Sequence, residues 1–165
     1  MSPLAFDPID EAARQWALRW DAVPAMHAVT SLMRVQQLLI QRLDAILRPH
    51  GLTFARYEAL VLLTFSSRGS LPMRVMGERL QLHPTSVTNI VDRLEADGLV
   101  KRTPHPTDRR TTLAEITELG RERRARATEA VTAIDFGLVG LTERQTAALT
   151  DLLAKVRKAT GDFEE

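Results

Sequence analysis

PTSVTNIVDRLEADG, residues 84–98, decides how the rest of the chain is read. Pro84 has no backbone N–H to satisfy and a fixed φ, and both suit the first position of a helix. Val87, Ile90, Val91 and Leu94 then recur at helical spacing and define one apolar stripe. Asp97-Gly98 closes the segment, because Gly enters the left-handed conformation past a helix end without a Cβ clash. The predicted helix covers residues 84–97 and is roughly 21 Å long, enough to lie across a DNA major groove.

Off that stripe, Thr85, Ser86, Thr88 and Asn89 occupy the first turn and a half, the part of a recognition helix that meets base edges. Asn can pair with adenine through two atoms, and Thr offers a hydroxyl and a methyl for thymine. Ser and Thr are also favoured near helix starts for local reasons, so any one of these residues carries little weight. The four together, followed by a hairpin, point to DNA contact.

Upstream, Pro72 suits the first turn of a shorter helix whose Val75, Met76 and Leu80 share a face, and Gln81-Leu82-His83 breaks the pattern before Pro84. Downstream, Val100–His105 reads as a strand, Pro106–Arg110 as a loop and Thr111–Ile116 as the return strand. Leu113 and Ile116 cannot both face the core unless that strand carries a bulge. Lys101, Arg102, Arg109 and Arg110 outnumber the carboxylates Asp108 and Glu115 on this hairpin four to two. An arginine on a thin loop can enter a minor groove, whose negative potential attracts guanidinium. Helix, turn, helix and hairpin in this order over 71–116 predict a mainly α chain with a small β-hairpin wing, a winged helix-turn-helix.

The chain resembles the multiple-antibiotic-resistance regulator (MarR) family of bacterial transcription factors. The resemblance rests on LTFARYEAL at 52–60, on VDRLEADGLVKR at 91–102, and on Asp108-Arg109-Arg110 ahead of ITELG at 116–120; it covers about residues 27–158. It implies an obligate homodimer on double-stranded DNA and a recognition helix corresponding to 84–97. It also implies a wing whose Arg110 enters the minor groove while Asp108 braces it, and release of DNA by a small molecule or an oxidant. The expected DNA-contacting set is Pro84, Thr85, Ser86, Thr88, Asn89 and Arg93 on the helix, with Asp108, Arg109 and Arg110 on the wing. A repressor on a pseudo-palindromic operator is the expected role.

Composition agrees with this reading and narrows it. The 165 residues amount to one domain's worth. Net charge is only +1, so affinity must come from local geometry and from doubling the site rather than from a global positive field. Arginine outnumbers lysine 19 to 3, which favours planar phosphate recognition. With no cysteine in the chain, thiol-based oxidant sensing is excluded. His27, His50, His83 and His105 lack paired metal-ligand spacing, and neither metal nor cofactor is expected. No apolar run approaches a membrane span and no signal peptide is evident, so a cytoplasmic location and no membrane partner are expected.

Outside 51–116 the chain is helical and too apolar to stand alone. From Pro24 to Arg48, apolar residues cover more than one face, which predicts burial on two sides. Glu118 to about Ile134 reads as an Arg- and Ala-rich helix broken by Gly137 and Gly140. Thr142 with Gln145 forms a capping box ahead of a seam of Leu149, Leu152, Leu153 and Val156. Residues 24–50 and 117–165 are therefore assigned to dimerisation helices exchanged with a twin subunit, making one intertwined domain with 51–116.

Residues 1–23 form a helical extension. Asp7-Pro8 resembles an N-cap with proline at N1, and Ile9, Ala13, Trp16 and Trp20 follow at helical spacing. Two tryptophans on one face usually mean packing. The functional alternative is an effector pocket for a small aromatic or anionic molecule, formed by Trp16, Trp20, His27 and Arg56. In urate-responsive members of the family an N-terminal helix carries a ligand-contacting Trp, which Trp16 resembles. Glu58 stands where they have an acidic residue, but Ile90 occupies a position where they carry an arginine.

An enzyme is not expected, since the chain has no G-x-S-x-G, metal triad or phosphate loop. The alternative is a winged-helix protein–protein interaction module without DNA binding. Such a module would show apolar groups where Thr88, Asn89 and Arg110 stand.

Overall fold

The computed structural model describes residues 4–108 and 110–164. Among the described residues seven α-helices run in the order α1 (Pro8–Ala17), α2 (Val23–Leu47), α3 (Phe54–Phe65), α4 (Met73–Leu80), α5 (Pro84–Ala96), α6 (Glu118–Thr132) and α7 (Glu143–Ala159). Three short strands, β1 (Ser70–Pro72), β2 (Val100–Pro104) and β3 (Thr112–Ile116), form one antiparallel sheet in the order β1-β3-β2.

Helix ends follow the local chemistry. Asp7 caps α1 by accepting the Ile9 and Asp10 N–H groups, with Pro8 in the first turn. Thr53 and Thr117 cap α3 and α6 through their hydroxyls, and Thr142 with Gln145 completes a reciprocal capping box on α7. Gly98, at φ +70°, closes α5 one residue past Asp97, as the sequence predicts.

The hairpin differs from expectation in detail. β2 and β3 pair without a bulge, Val100 opposite Ile116 and Pro104 opposite Thr112. Period-two alternation then puts Ala114 and Ile116 on the buried face and leaves Leu113 half-buried on the other, so the apparent conflict dissolves. Pro72 ends β1 and serves as the N-cap of α4 instead of sitting in its first turn. β1 pairs with β3, bringing Leu71 opposite Ala114.

One core joins the winged module to its flanking helices. Leu60 and Leu63 of α3, Met76 of α4, Val91 and Leu94 of α5, Val100 of β2 and Ala114 of β3 are sealed together. Leu43 and Leu47 from the end of α2 and Ala127 and Val131 from α6 complete the same cluster. The Tyr57 hydroxyl meets the Thr128 hydroxyl at 3.2 Å across the α3–α6 contact.

Beyond that core the flanking helices are bare. Only Leu43 and Leu47 of α2 are buried, whereas Val29, Leu32, Met33, Val35, Leu38 and Ile40 are exposed. No residue of α7 is buried, and Leu152 and Val156 lie open. The two-sided burial that the α2 sequence predicts is thus unmet within one chain.

Candidate nucleic-acid interface

Helix α5 divides into a buried and an exposed face. Val87, Val91 and Leu94 of α5 are buried, and Thr85, Ser86, Thr88, Asn89 and Arg93 project outward from the exposed side. Pro84 is exposed at the tip. His83 precedes it as N-cap, its Nδ1 accepting the Thr85 N–H at 3.3 Å. The Thr88 hydroxyl donates to the Pro84 carbonyl at 3.0 Å. Asn89 keeps a free amide edge for a base, since no hydrogen bond ties its side chain among the described residues.

Asp92 and Glu95 of this helix and Asp97 at its C-cap are each tied to an arginine from elsewhere. Arg102 on β2 lies 2.5 Å from Asp92 and also grips Glu95, whose other oxygen accepts the Arg102 backbone N–H at 3.0 Å. Arg56 on α3 lies 3.3 Å from Asp97. With these acids committed, no carboxylate pairs with Arg93 among the described residues. The consequence corrects the sequence-level charge count: Arg102 neutralises helix acids, and Lys101 pairs with Glu115 at 3.1 Å. Neither adds net positive charge to the wing.

The wing is shaped by Asp108 and His105. Asp108 accepts the Arg110 backbone N–H at 3.0 Å and the Thr111 hydroxyl at 2.6 Å. The Thr111 hydroxyl first, and the Arg110 amide second, hold the Asp108 carboxyl below its ordinary range. Asp108 thus braces the backbone that carries Arg110. On the other side of the tip, His105 Nδ1 accepts the Asp108 N–H at 3.2 Å, a role unnoticed in the sequence. Arg110 is exposed. Arg109 lies outside the described residues.

The four residues assigned to an effector pocket fall in two places. The Trp16 and Trp20 rings lie 4.7 Å apart on the α1 side with their planes tilted by 49°, and the Trp16 indole N–H donates to the Asp21 carbonyl at 2.8 Å. Beside them His27 meets Asp10 at 3.0 Å. Arg56 sits near the other end of α2, where Asp44 accepts the Phe54 N–H at 2.7 Å. His27 and Asp44 are separated by about 25 Å of helix, so one molecule of ligand size does not span both within a chain. Arg56 instead lines a cleft of about 420 Å³ with Thr53, Asn89, Ile90 and Arg93.

An exposed polar helix face that includes Arg93, flanked by a loop with Arg110 exposed on a three-stranded wing, defines a winged helix-turn-helix DNA-reading module. The MarR family description matches residues 50–111. Sco5413, a MarR family transcriptional regulator from Streptomyces coelicolor, is 53% identical in its solved structure. It superposes with a TM-score of 0.81 over 87% of this chain and 100% of that one. Sco3205, a MarR family regulator from the same organism solved in complex with DNA, is 27% identical, with a TM-score of 0.75 over 86% and 90% of the two chains. The HTH-type transcriptional regulator MhqR of Bacillus subtilis is 35% identical over 89 residues, 54% of this chain, and the match spans 60% of MhqR. This chain belongs to the MarR family, whose members are transcriptional regulators and not enzymes.

Proposed function

We propose that the chain acts as a homodimeric repressor that binds a pseudo-palindromic operator and is released by a small aromatic or anionic effector. The observation that carries the DNA reading is the pairing pattern on α5: every acid on the helix is neutralised by an arginine from another element, while Asn89 and Arg93 stay unengaged. A helix that merely faced solvent would have no need of such neutralisation. A helix that enters the field of a phosphate backbone does.

The dimer reading is supported by the apolar α2 and α7 faces, which a second copy would cover. A dimer covering two successive major grooves occludes a promoter, which favours repression. The effector reading has two candidate seats. The tilted Trp16–Trp20 pair with His27 would hold an aromatic group. The Arg56–Arg93 cleft would hold an anion, and there a ligand would compete directly with base contact at Asn89. Assignment of residues 24–50 and 117–165 to dimerisation, of 51–116 to DNA and of 1–23 to an extension is part of the same proposal.

Titration of a labelled duplex selected by the protein from a random library, across a salt series, tests the reading. Salt-dependent, sequence-selective binding by a dimer is expected. Binding indifferent to both salt and sequence would overturn it. Tryptophan fluorescence with phenolic and heterocyclic acids, run beside mobility shifts, tests the effector: a ligand that binds without changing DNA affinity would refute the coupling.

A further inference from the structure

Little in its own chain fixes the direction of α7, since none of its 17 residues is buried. Its far end is held by a specific device. Gly161 takes φ +76°, its N–H donates to the Lys158 carbonyl, and the Asp162 N–H donates to the Arg157 carbonyl, both at 3.0 Å. This two-bond closure normally brings an apolar pair together across the helix end. Here the pair is ionic: Arg157 Nε lies 2.6 Å from one Asp162 oxygen, and the guanidinium rests 5.2 Å over the Phe163 ring. The other Asp162 oxygen accepts the side-chain amide of Gln81 at 2.7 Å.

Gln81 is no ordinary surface residue. It ends α4 in the left-handed conformation, φ 54°, where Gly or Asn is the usual choice, and it opens the turn that aims α5. Asp162 keeps only 17% of its side chain exposed, so the contact is partly shielded from solvent. The last turn of α7 is thereby bonded to the turn of the DNA-reading unit.

We propose that Gln81 and Asp162 form a clasp through which the pose of α7 fixes the position of the recognition helix, making the pair a determinant of operator half-site spacing. The proposal rests on the dimeric operator reading. α7 carries Leu152 and Val156 exposed, so a partner seated on that face sets its direction, and the clasp passes that direction to a point three residues before Pro84. Two recognition helices must sit one DNA turn apart, so a small displacement at the turn changes which spacer fits.

The test uses the full chain with Gln81→Ala, Asp162→Ala and the double variant. The probes are the duplex selected by the wild-type protein, the same duplex with one or two base pairs inserted at its centre, and a single half-site. Wild type should discriminate strongly against the inserted spacers. Each single variant should lose much of that discrimination while half-site affinity and thermal midpoint stay unchanged, and the double should be no worse than either single. A single variant that keeps the wild-type discrimination, or a double whose losses simply add, would overturn the clasp. If wild type selects no paired half-sites at all, the dimeric reading itself fails, and the clasp's role with it; that outcome is visible before any variant is made.

Discussion

Gly120 lies directly beneath the carbonyl of Leu99, and a Cβ at that glycine would come within 2.1 Å of the oxygen. The same oxygen accepts the Thr117 N–H at 3.0 Å, and the Thr117 hydroxyl donates to the Gly98 carbonyl at 2.8 Å. The end of the recognition helix and the start of α6 are therefore locked by Gly98-Leu99 on one side and Thr117 with Gly120 on the other. The contact joins DGLV at 97–100 to ITELG at 116–120.

Gly120→Ala should consequently reverse the usual sign of a helical Gly→Ala change, which normally gains up to about 1 kcal/mol. Backbone cannot yield as a side-chain tip can, and overpacking of this kind costs about 1–3 kcal/mol. Denaturant unfolding should show a lowered midpoint with an unchanged slope. A stabilised variant would show that α6 is not docked where Leu99 places it.

Assembly gives a second expectation. Because Leu152 and Val156 are more than half exposed in the single chain, changing both to Glu removes little of what holds that chain together. Wild type should sediment at about 37 kDa, twice the 18.5 kDa chain, at sub-micromolar concentration. The double Glu variant should shift toward the monomer with its helix content intact. A wild-type protein that sediments as a folded monomer would contradict the dimer.

Much of this was legible because it is local. Pro84, the Val87–Leu94 stripe and Gly98 specify α5 within fifteen residues, and Thr142 with Gln145 marks α7 just as locally. What escaped depends on chain segments meeting in space. Ser70–Pro72 is too short to show alternation and becomes a strand only because β3 lies beside it. Arg102 reads as a wing cation and Arg56 as a pocket residue until folding sets them against Asp92, Glu95 and Asp97. His83 and His105 carried a readable signal, since each stands next to a turn whose N–H groups need an acceptor. Arg56 looked close to Trp16 only while the length of α2 between them was left out of account.

The acid neutralisation on α5 can be tested by itself. Arg102→Ala should leave Asp92 and Glu95 facing the DNA backbone uncompensated and weaken binding several-fold on every duplex, most at low salt. Adding Asp92→Asn and Glu95→Gln to that variant should restore most of the loss. Gel shifts at two salt concentrations decide it; if the added substitutions rescue nothing, Arg102 acts through packing or direct contact instead.

The wing should tolerate acid well. A carboxyl whose folded pKa is lowered contributes order that is present above its ordinary value and lost only as pH falls through the lowered one. The bonds from Thr111 and Arg110 therefore keep Asp108 ionised below its ordinary value of 3.8. Carbon-13 titration of the Asp108 carboxyl should show a midpoint below 3.8. Thr111→Ala should move it upward, and a midpoint that ignores Thr111 would disprove the bracing contact.

Helix and wing should fail in different ways when mutated. Asn89 stands on the exposed side of α5 with its amide edge unengaged, so Asn89→Ala should cost about 1–3 kcal/mol per half-site on the selected duplex and flatten discrimination at one or two base positions. Non-specific affinity should barely move. On the proposed reading the Arg110 loop senses groove width and potential, so Arg110→Ala should weaken binding broadly and most on duplexes with A·T-rich flanks. It should also lower the steepness of log K against log salt by up to about 1 per subunit. Asp108→Ala should give a milder version of the same defect, because it loosens the backbone that carries Arg110 while leaving the guanidinium in place. Competition assays on operator variants across a salt series compare all three. Should Arg110→Ala bind like wild type while Asn89→Ala loses non-specific affinity, the roles assigned to helix and wing are reversed.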